Sequence, residues 1–172
     1  SLDVQIQQPD VAILPGLTQT NFTGAQNPHI ELVFSTTNSG PLNIHDCYTG
    51  VYFSDDPVLD GSDRLLAVAY EFLASQGYMT QTNHLRLPVT ESGRYYLIEK
   101  ADPHDFLKES DEINNIQVVT VDVTVLRPDL EPVGLQVPGT YTGPDGGSFS
   151  ISYTITNRGP ALAMDRLEWY DT

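Results

Sequence analysis

The sequence predicts an all-β protein built as an antiparallel β-sandwich, and three observations carry that expectation. Short runs alternate large apolar with polar residues at a period of two, as strands with one buried face require. Pro and Gly separate these runs at close intervals, and almost no stretch has the spacing of an amphipathic helix. The chain also begins to repeat itself: residues 30–41 return as residues 149–160 at a constant offset of 119, with Ile30, Leu32 and Phe34 answered by Phe149, Ile151 and Tyr153. A repeat of that length matches a whole sandwich domain rather than a solenoid unit. The expected organisation is one complete module over residues 1–126, followed by the first strands of a second, incomplete one over residues 127–172.

Each element follows from local pattern. Residues 2–7 alternate and read as a first edge strand, and 8–27 read as loop with one short strand at 11–14, because Pro9, Pro15, Gly16 and Gly24 interrupt them. Residues 30–38 form the second strand, stopped by Asn38-Ser39-Gly40-Pro41. Residues 47–54 form the third, with Cys47, Val51 and Phe53 on one face, and an acidic connection over 55–63 is turned by Pro57 and Gly61. Residues 65–72 are apolar and fit a strand or a helical turn; 79–87 alternate again and stop at Pro88. Glu91-Ser92-Gly93 turns into a strand at 94–101, and an acidic connection over 102–115 leaves room for a helical turn at 106–109. Residues 116–126 form the longest strand, with Val119, Val121, Val123 and Val125 on one face. Leu126-Arg127-Pro128-Asp129 then joins the repeats with little slack, since Pro128 fixes its own φ and pushes Arg127 toward extended geometry. Such a joint suits a stalk or fibre better than a flexible tether.

The bulk numbers narrow the partners. The 172 residues carry 8 Lys and Arg against 23 Asp and Glu, a net charge of −15, which repels phosphate backbones and excludes nucleic acid while favouring divalent cations. The same acidity also serves as a solubility device. Cys47 is the only cysteine, so no internal disulfide forms. No apolar run approaches the roughly 20 residues that span a bilayer, and the absence of a signal peptide at Ser1 implies a mature or excised chain. Asn21-Phe22-Thr23 matches a glycosylation acceptor, which matters only in a eukaryotic secretory pathway.

Five stretches together resemble one family. They are Arg127-Pro128-Asp129-Leu130, residues 154–159 (Thr-Ile-Thr-Asn-Arg-Gly), Val51-Tyr52-Phe53-Ser54-Asp55-Asp56 with Asp60 and Asp63, Gly93-Arg94-Tyr95-Tyr96-Leu97, and residues 109–115 (Glu-Ser-Asp-Glu-Ile-Asn-Asn). Together they are similar to the bacterial cell-adhesion-related domain CARDB, an immunoglobulin-like sandwich found in tandem in large surface and secreted proteins, and the last three lie in the family's order. That resemblance implies an immunoglobulin-like fold and an extracellular or cell-surface location. Three departures stand out. The first copy opens with Ser1-Leu2-Asp3-Val4 where the family favours Pro-Asp-Leu. Its span from Asp3 to Asn38 is seven residues longer than that from Asp129 to Asn157. Cys47-Tyr48-Thr49 stands where the second copy has Trp169-Tyr170-Asp171.

The candidate metal site is the acidic loop with Asp55, Asp56, Asp60 and Asp63. Calcium takes six to eight oxygen ligands, and carboxylates close together on a turn supply several. The spacing is not that of an EF-hand, with Val58 at position three and no Glu at twelve. The competing reading is that these side chains cap turns. The same choice stands at Asp102, Asp105, Glu109, Asp111 and Glu112, where Asn114-Asn115 organises the turn into the last strand. His29, His45, His84 and His104 show no zinc spacing. His45 and Cys47 are expected to share a face with Asp46 turned away, and Cys47 to be a buried apolar residue rather than a nucleophile. No nucleophile elbow, phosphate loop or His-Glu-x-x-His is present, so no catalysis is expected. The nine tyrosines would bind sugar only if several shared one exposed face.

The expected function is a non-catalytic structural or adhesive repeat of a bacterial surface, matrix or filament protein, stiffened by calcium. Its partners would be neighbouring modules of the same or an identical chain, a cell-surface protein or a glycan, with neither nucleic acid nor membrane insertion. The alternative is a carbohydrate- or protein-binding accessory module of a secreted enzyme. The half-core of the second module implies a shortened chain, the visible part of a longer one, or completion by strands of another molecule into a homopolymer; a longer parent is preferred.

Overall fold

The computed structural model describes residues 5–16, 19–140 and 142–162. It contains ten strands and no helix among them: β1 (Val11–Pro15), β2 (Asn21–Gly24), β3 (His29–Asn38), β4 (Ile44–Ser54), β5 (Arg64–Leu73), β6 (Gly77–Arg86), β7 (Gly93–Ala101), β8 (Ile116–Val125), β9 (Leu130–Gln136) and β10 (Ser152–Asn157). The chain divides into two compact units, Ser1–Val125 and Leu126–Thr172.

In the first unit a three-stranded sheet, β1-β3-β6, faces a five-stranded sheet, β2-β8-β7-β4-β5. All pairings are antiparallel except β2 with β8, which run parallel at one edge. Alternation decides what the two sheets enclose. Ile30, Leu32 and Phe34 of β3 meet Cys47, Val51 and Phe53 of β4, Leu97 of β7 and Val121 and Val123 of β8 in one buried core. This is the expected immunoglobulin-like sandwich, and residues 65–72 resolve as strand because Leu73 enters that core while Tyr70 and Phe72 face out.

Four local readings need correction. Residues 2–4 of the expected first strand lie outside the described residues, and residues 5–10 are not strand. Residues 106–109 form no helical turn; the connection is held by carboxylate caps instead. β2 emerges from a stretch read as loop, too short and polar to show a period, and gains its order from pairing with β8. Finally, β4 carries a bulge, since Ile44 pairs with Leu73 but Cys47 with Glu71. The extra residue puts Cys47 in the core and leaves His45 exposed, so the two do not share a face.

Pro9-Asp10-Val11 leads into β1 as Pro128-Asp129-Leu130 leads into β9. Asn38 is buried, and its Oδ1 accepts the N–H groups of Asp10 (3.2 Å) and Gly40 (3.1 Å), while Nδ2 donates to the carbonyls of Leu42 (2.7 Å) and Ala74 (3.2 Å). A Cβ on Gly40 would lie 2.5 Å from Gln8 O and Pro9 Cα, so only glycine lets the entering chain cross there. The second unit repeats this clamp. Asn157 Oδ1 accepts from Asp129 (3.0 Å) and Gly159 (3.0 Å), Nδ2 donates to Ala161 O (2.6 Å), and Gly159 lies against residues 127–129. Val11 pairs with Asn38 as Leu130 pairs with Asn157, again at an offset of 119. The seven-residue excess counted from Asp3 therefore disappears: Asp10, not Asp3, answers Asp129. Trp169 lies outside the described residues.

Asn38→Ala should cost the first module about 3 kcal/mol, because it strands buried backbone groups as well as removing bonds. A thermal melt should then fall by roughly 10 °C. Asn157→Ala, the same chemical change in the second unit, should leave the main transition in place.

Candidate functional site

The acidic loop after β4 is organised by its own carboxylates. Asp56 Oδ1 accepts the Val58 N–H (2.8 Å), and Asp60 Oδ1 accepts both the N–H (2.8 Å) and the hydroxyl (2.7 Å) of Ser62. Asp63 Oδ2 accepts the Asp60 N–H (2.7 Å). The Ser62 bonds hold the Asp60 carboxyl below its ordinary range. Asp55 is exposed beside them. Among the described residues, no group of three or more His, Cys, Asp or Glu is placed to hold a metal ion. As folded, the loop is a series of turn caps.

The second acidic connection is a clamp on β1. Glu109 is buried; its Oε2 accepts the Val11 N–H and its Oε1 accepts from Asn115 Nδ2 (3.0 Å). Glu112 caps the Glu109 N–H (2.9 Å), Asp111 caps Ile113 (3.0 Å), and Asp102 caps Leu107 (2.6 Å). Asn114 Nδ2 reaches Asp10 Oδ1 (3.0 Å), and the Ser110 N–H reaches Pro9 O (3.0 Å). Asp105 instead pairs with Lys100 at 3.2 Å. Burial pushes Glu109 up to about 7.

Two further carboxylates lie inside the sandwich. Glu71 accepts from the Thr36 hydroxyl (3.0 Å), which also contacts Thr49 (3.3 Å), and burial raises its pKa. Glu99 is wholly buried between the inward positions Leu97 and Ala101, with neither oxygen hydrogen-bonded, and burial pushes it up to about 8. The alternation of Tyr95, Leu97, Glu99 and Ala101 was the signal that points Glu99 inward. Cys47 is buried, and burial followed by the charge of Glu71 raises its thiol to about 12, so it is no nucleophile at neutral pH.

The outer face of the five-stranded sheet carries a row of rings. Tyr48 of β4 and Tyr70 of β5 are register partners with ring centroids 5.8 Å apart. Tyr48 also meets His104 at 5.6 Å, and His104 meets Phe106 at 5.5 Å. His45 lies against Phe72 at 5.1 Å. Tyr70, Phe72 and Phe106 are 82%, 49% and 78% exposed. Period two places Tyr48 and Tyr70 outward; His104 and Phe106 come from a loop and have no such signal.

The CARDB family model matches residues 8–119. Among solved structures, the chain is similar to a crystal structure of a CARDB domain from Pyrococcus furiosus in complex with di-metal ions, at 17% identity and a TM-score of 0.57, over 71% of this chain and 99% of that one. It is also similar to a solution structure of a CARDB domain from the same organism, at 18% identity and a TM-score of 0.54, over 70% and 99%. A β-glucosidase from Listeria innocua in complex with glucose aligns at 13% identity and a TM-score of 0.49, over 67% of this chain but 16% of that one. No curated protein matches the chain.

The buried carboxylates set a pH dependence. Glu99 and Glu109 titrate near 8 and 7 when folded against an ordinary 4.5, so between those values the folded form holds protons that the unfolded chain has released. Their contribution is complete below about pH 4.5 and is lost as pH rises through 7 to 8. The melting temperature should be roughly 5–10 °C higher at pH 5.5 than at pH 8.5. Glu99→Gln should remove much of that difference by stabilising the protein at the higher pH.

Proposed function

The chain belongs to the CARDB family, a cell-adhesion-related and non-catalytic domain family, and from that premise we propose that it is a structural and adhesive repeat of a bacterial surface, matrix or filament protein. The observation that supports this reading is the second clamp, Asp129–Asn157–Gly159, which reproduces Asp10–Asn38–Gly40 in chemistry and register. Residues 127–172 are then the opening of a second module. Its Phe149, Ile151 and Tyr153 are 60%, 51% and 43% exposed, whereas the matching Ile30, Leu32 and Phe34 are buried in the first. Among the described residues no helix is long and apolar enough to cross a membrane.

Limited proteolysis of the full chain tests the tandem reading. Cleavage after residue 126 should come first and leave a resistant fragment ending near Val125; equal resistance of both units would overturn it.

Calcium at Asp55, Asp56, Asp60 and Asp63 is the cofactor part of this proposal. Binding would have to exchange the bonds of Asp60 and Asp63 to Ser62 and to the Asp60 N–H for the ion, so affinity should be weak, around the millimolar values of extracellular modules. At about 10 mM calcium such a site adds about 1.4 kcal/mol, a rise of roughly 3–6 °C over chelator. An unchanged melt removes calcium from the reading.

A second reading, a ligand-binding accessory module, is favoured by one observation: the exposed aromatic row on the five-stranded sheet.

A further inference from the structure

We infer that the outer face of the five-stranded sheet, centred on Tyr48, Tyr70, His104 and Phe106 and extended by His45 and Phe72, is a platform for a neutral polysaccharide. This rests on the ligand-binding reading and is independent of the tandem one.

The rings are held in place before any ligand arrives. Strand pairing sets Tyr48 opposite Tyr70. The Asp102 N–H donates to Tyr48 O (2.9 Å), tying the following loop to β4, and Asp102 Oδ2 closes that loop on the Leu107 N–H. His104 and Phe106 lie between these two anchors. On the same face, the Tyr52 ring lies over Gly50, where a Cβ would meet its Cε2 at 2.7 Å. Glycine there lets a further aromatic ring lie close against the sheet. A row of pre-set rings loses little entropy on binding.

Chemistry selects the occupant. Ring faces stack on the C–H faces of sugars, while Tyr hydroxyls and His nitrogens at the ring edges exchange hydrogen bonds with sugar hydroxyls. The net charge of −15 repels an anionic polysaccharide and a second copy of this chain. At the face itself Lys100 and Asp105 neutralise each other, which matches an uncharged ligand.

The test uses the full chain with purified neutral polysaccharides: co-sedimentation with insoluble cellulose and chitin, and retardation in gels containing soluble β-glucan or galactomannan. At least one should retain the protein. Tyr70→Ala and Phe106→Ala should each weaken retention about tenfold, the scale of an exposed aromatic anchor, with unchanged melting temperature. Tyr78→Ala removes a comparably exposed ring (75%) from the other sheet and should have no effect. Absence of retention on every polysaccharide, or equal weakening by Tyr78→Ala, overturns the inference. Retention only on cell-wall material, abolished by protease, overturns it in favour of a protein ligand. Concentration-dependent dimerisation lost in Tyr70→Ala overturns it in favour of self-association. None of these outcomes alters the proteolysis pattern that tests the tandem reading.

Discussion

The outer edge of β1 is the constraint on which the first unit depends. β1 pairs with β3 on one side, so the N–H groups on its other side need acceptors from elsewhere. Val11 finds Glu109 and Ile13 finds the carbonyl of Asn114, both on the connection between β7 and β8 of the opposite sheet. The sandwich is thereby laced shut along one side by hydrogen bonds between its layers. Asn38 completes the fastening by holding the entry at Asp10. The acidic motif at 109–115 thus has a structural task, and its carboxylates are spent on backbone groups.

That lacing carries a cost, visible in the buried acids. Glu109 needs burial to reach Val11, and burial disfavours its charge. Glu99 bears the same penalty without a hydrogen-bond partner. The neutral acid is the form the core tolerates, and the folded state consequently binds protons in the range where most proteins release them. Cys47, beside Glu71 in register and equally buried, is quiet for the same electrostatic reason.

Much of this was legible in the chain because a sandwich makes period two nearly obligatory. Ile30, Leu32 and Phe34 could face only one way, and Val121, Val123 and Val125 only the other layer. What stayed hidden was whatever breaks the period or draws on distant partners. The bulge between Ile44 and Cys47 leaves no local mark, yet it separates His45 from Cys47. β2 exists only through its parallel partner β8. Asp3 and Asp10 are equally good matches to Asp129 by type; the hydrogen bond to Asn38 decides between them. The acidic loops offered oxygen-rich composition, and composition does not tell a metal ligand from a turn cap; only the fold shows Asp56, Asp60 and Asp63 accepting backbone N–H groups. The ring cluster was half visible, since alternation exposes Tyr48 and Tyr70 while His104 and Phe106 join them only through the folded loop.

The two sheets therefore carry different burdens. The three-stranded sheet receives the chain at Asp10 and holds the Asn38 clamp, and the same construction starts the second unit at Asp129. Its outer face is mostly polar, with Ser35 bonded to Thr80 (2.8 Å) and Glu31 near His84 (3.9 Å) beside the exposed ring of Tyr78. The five-stranded sheet is freed from that duty, and its outer face brings Tyr48, Tyr70, His104 and Phe106 into one cluster. Keeping aromatic groups on water costs solubility, a cost that a charge of −15 offsets by repelling other copies. Exposed rings and a strongly negative charge thus occur in one chain, and the charge keeps the rings of one copy from collapsing onto those of another.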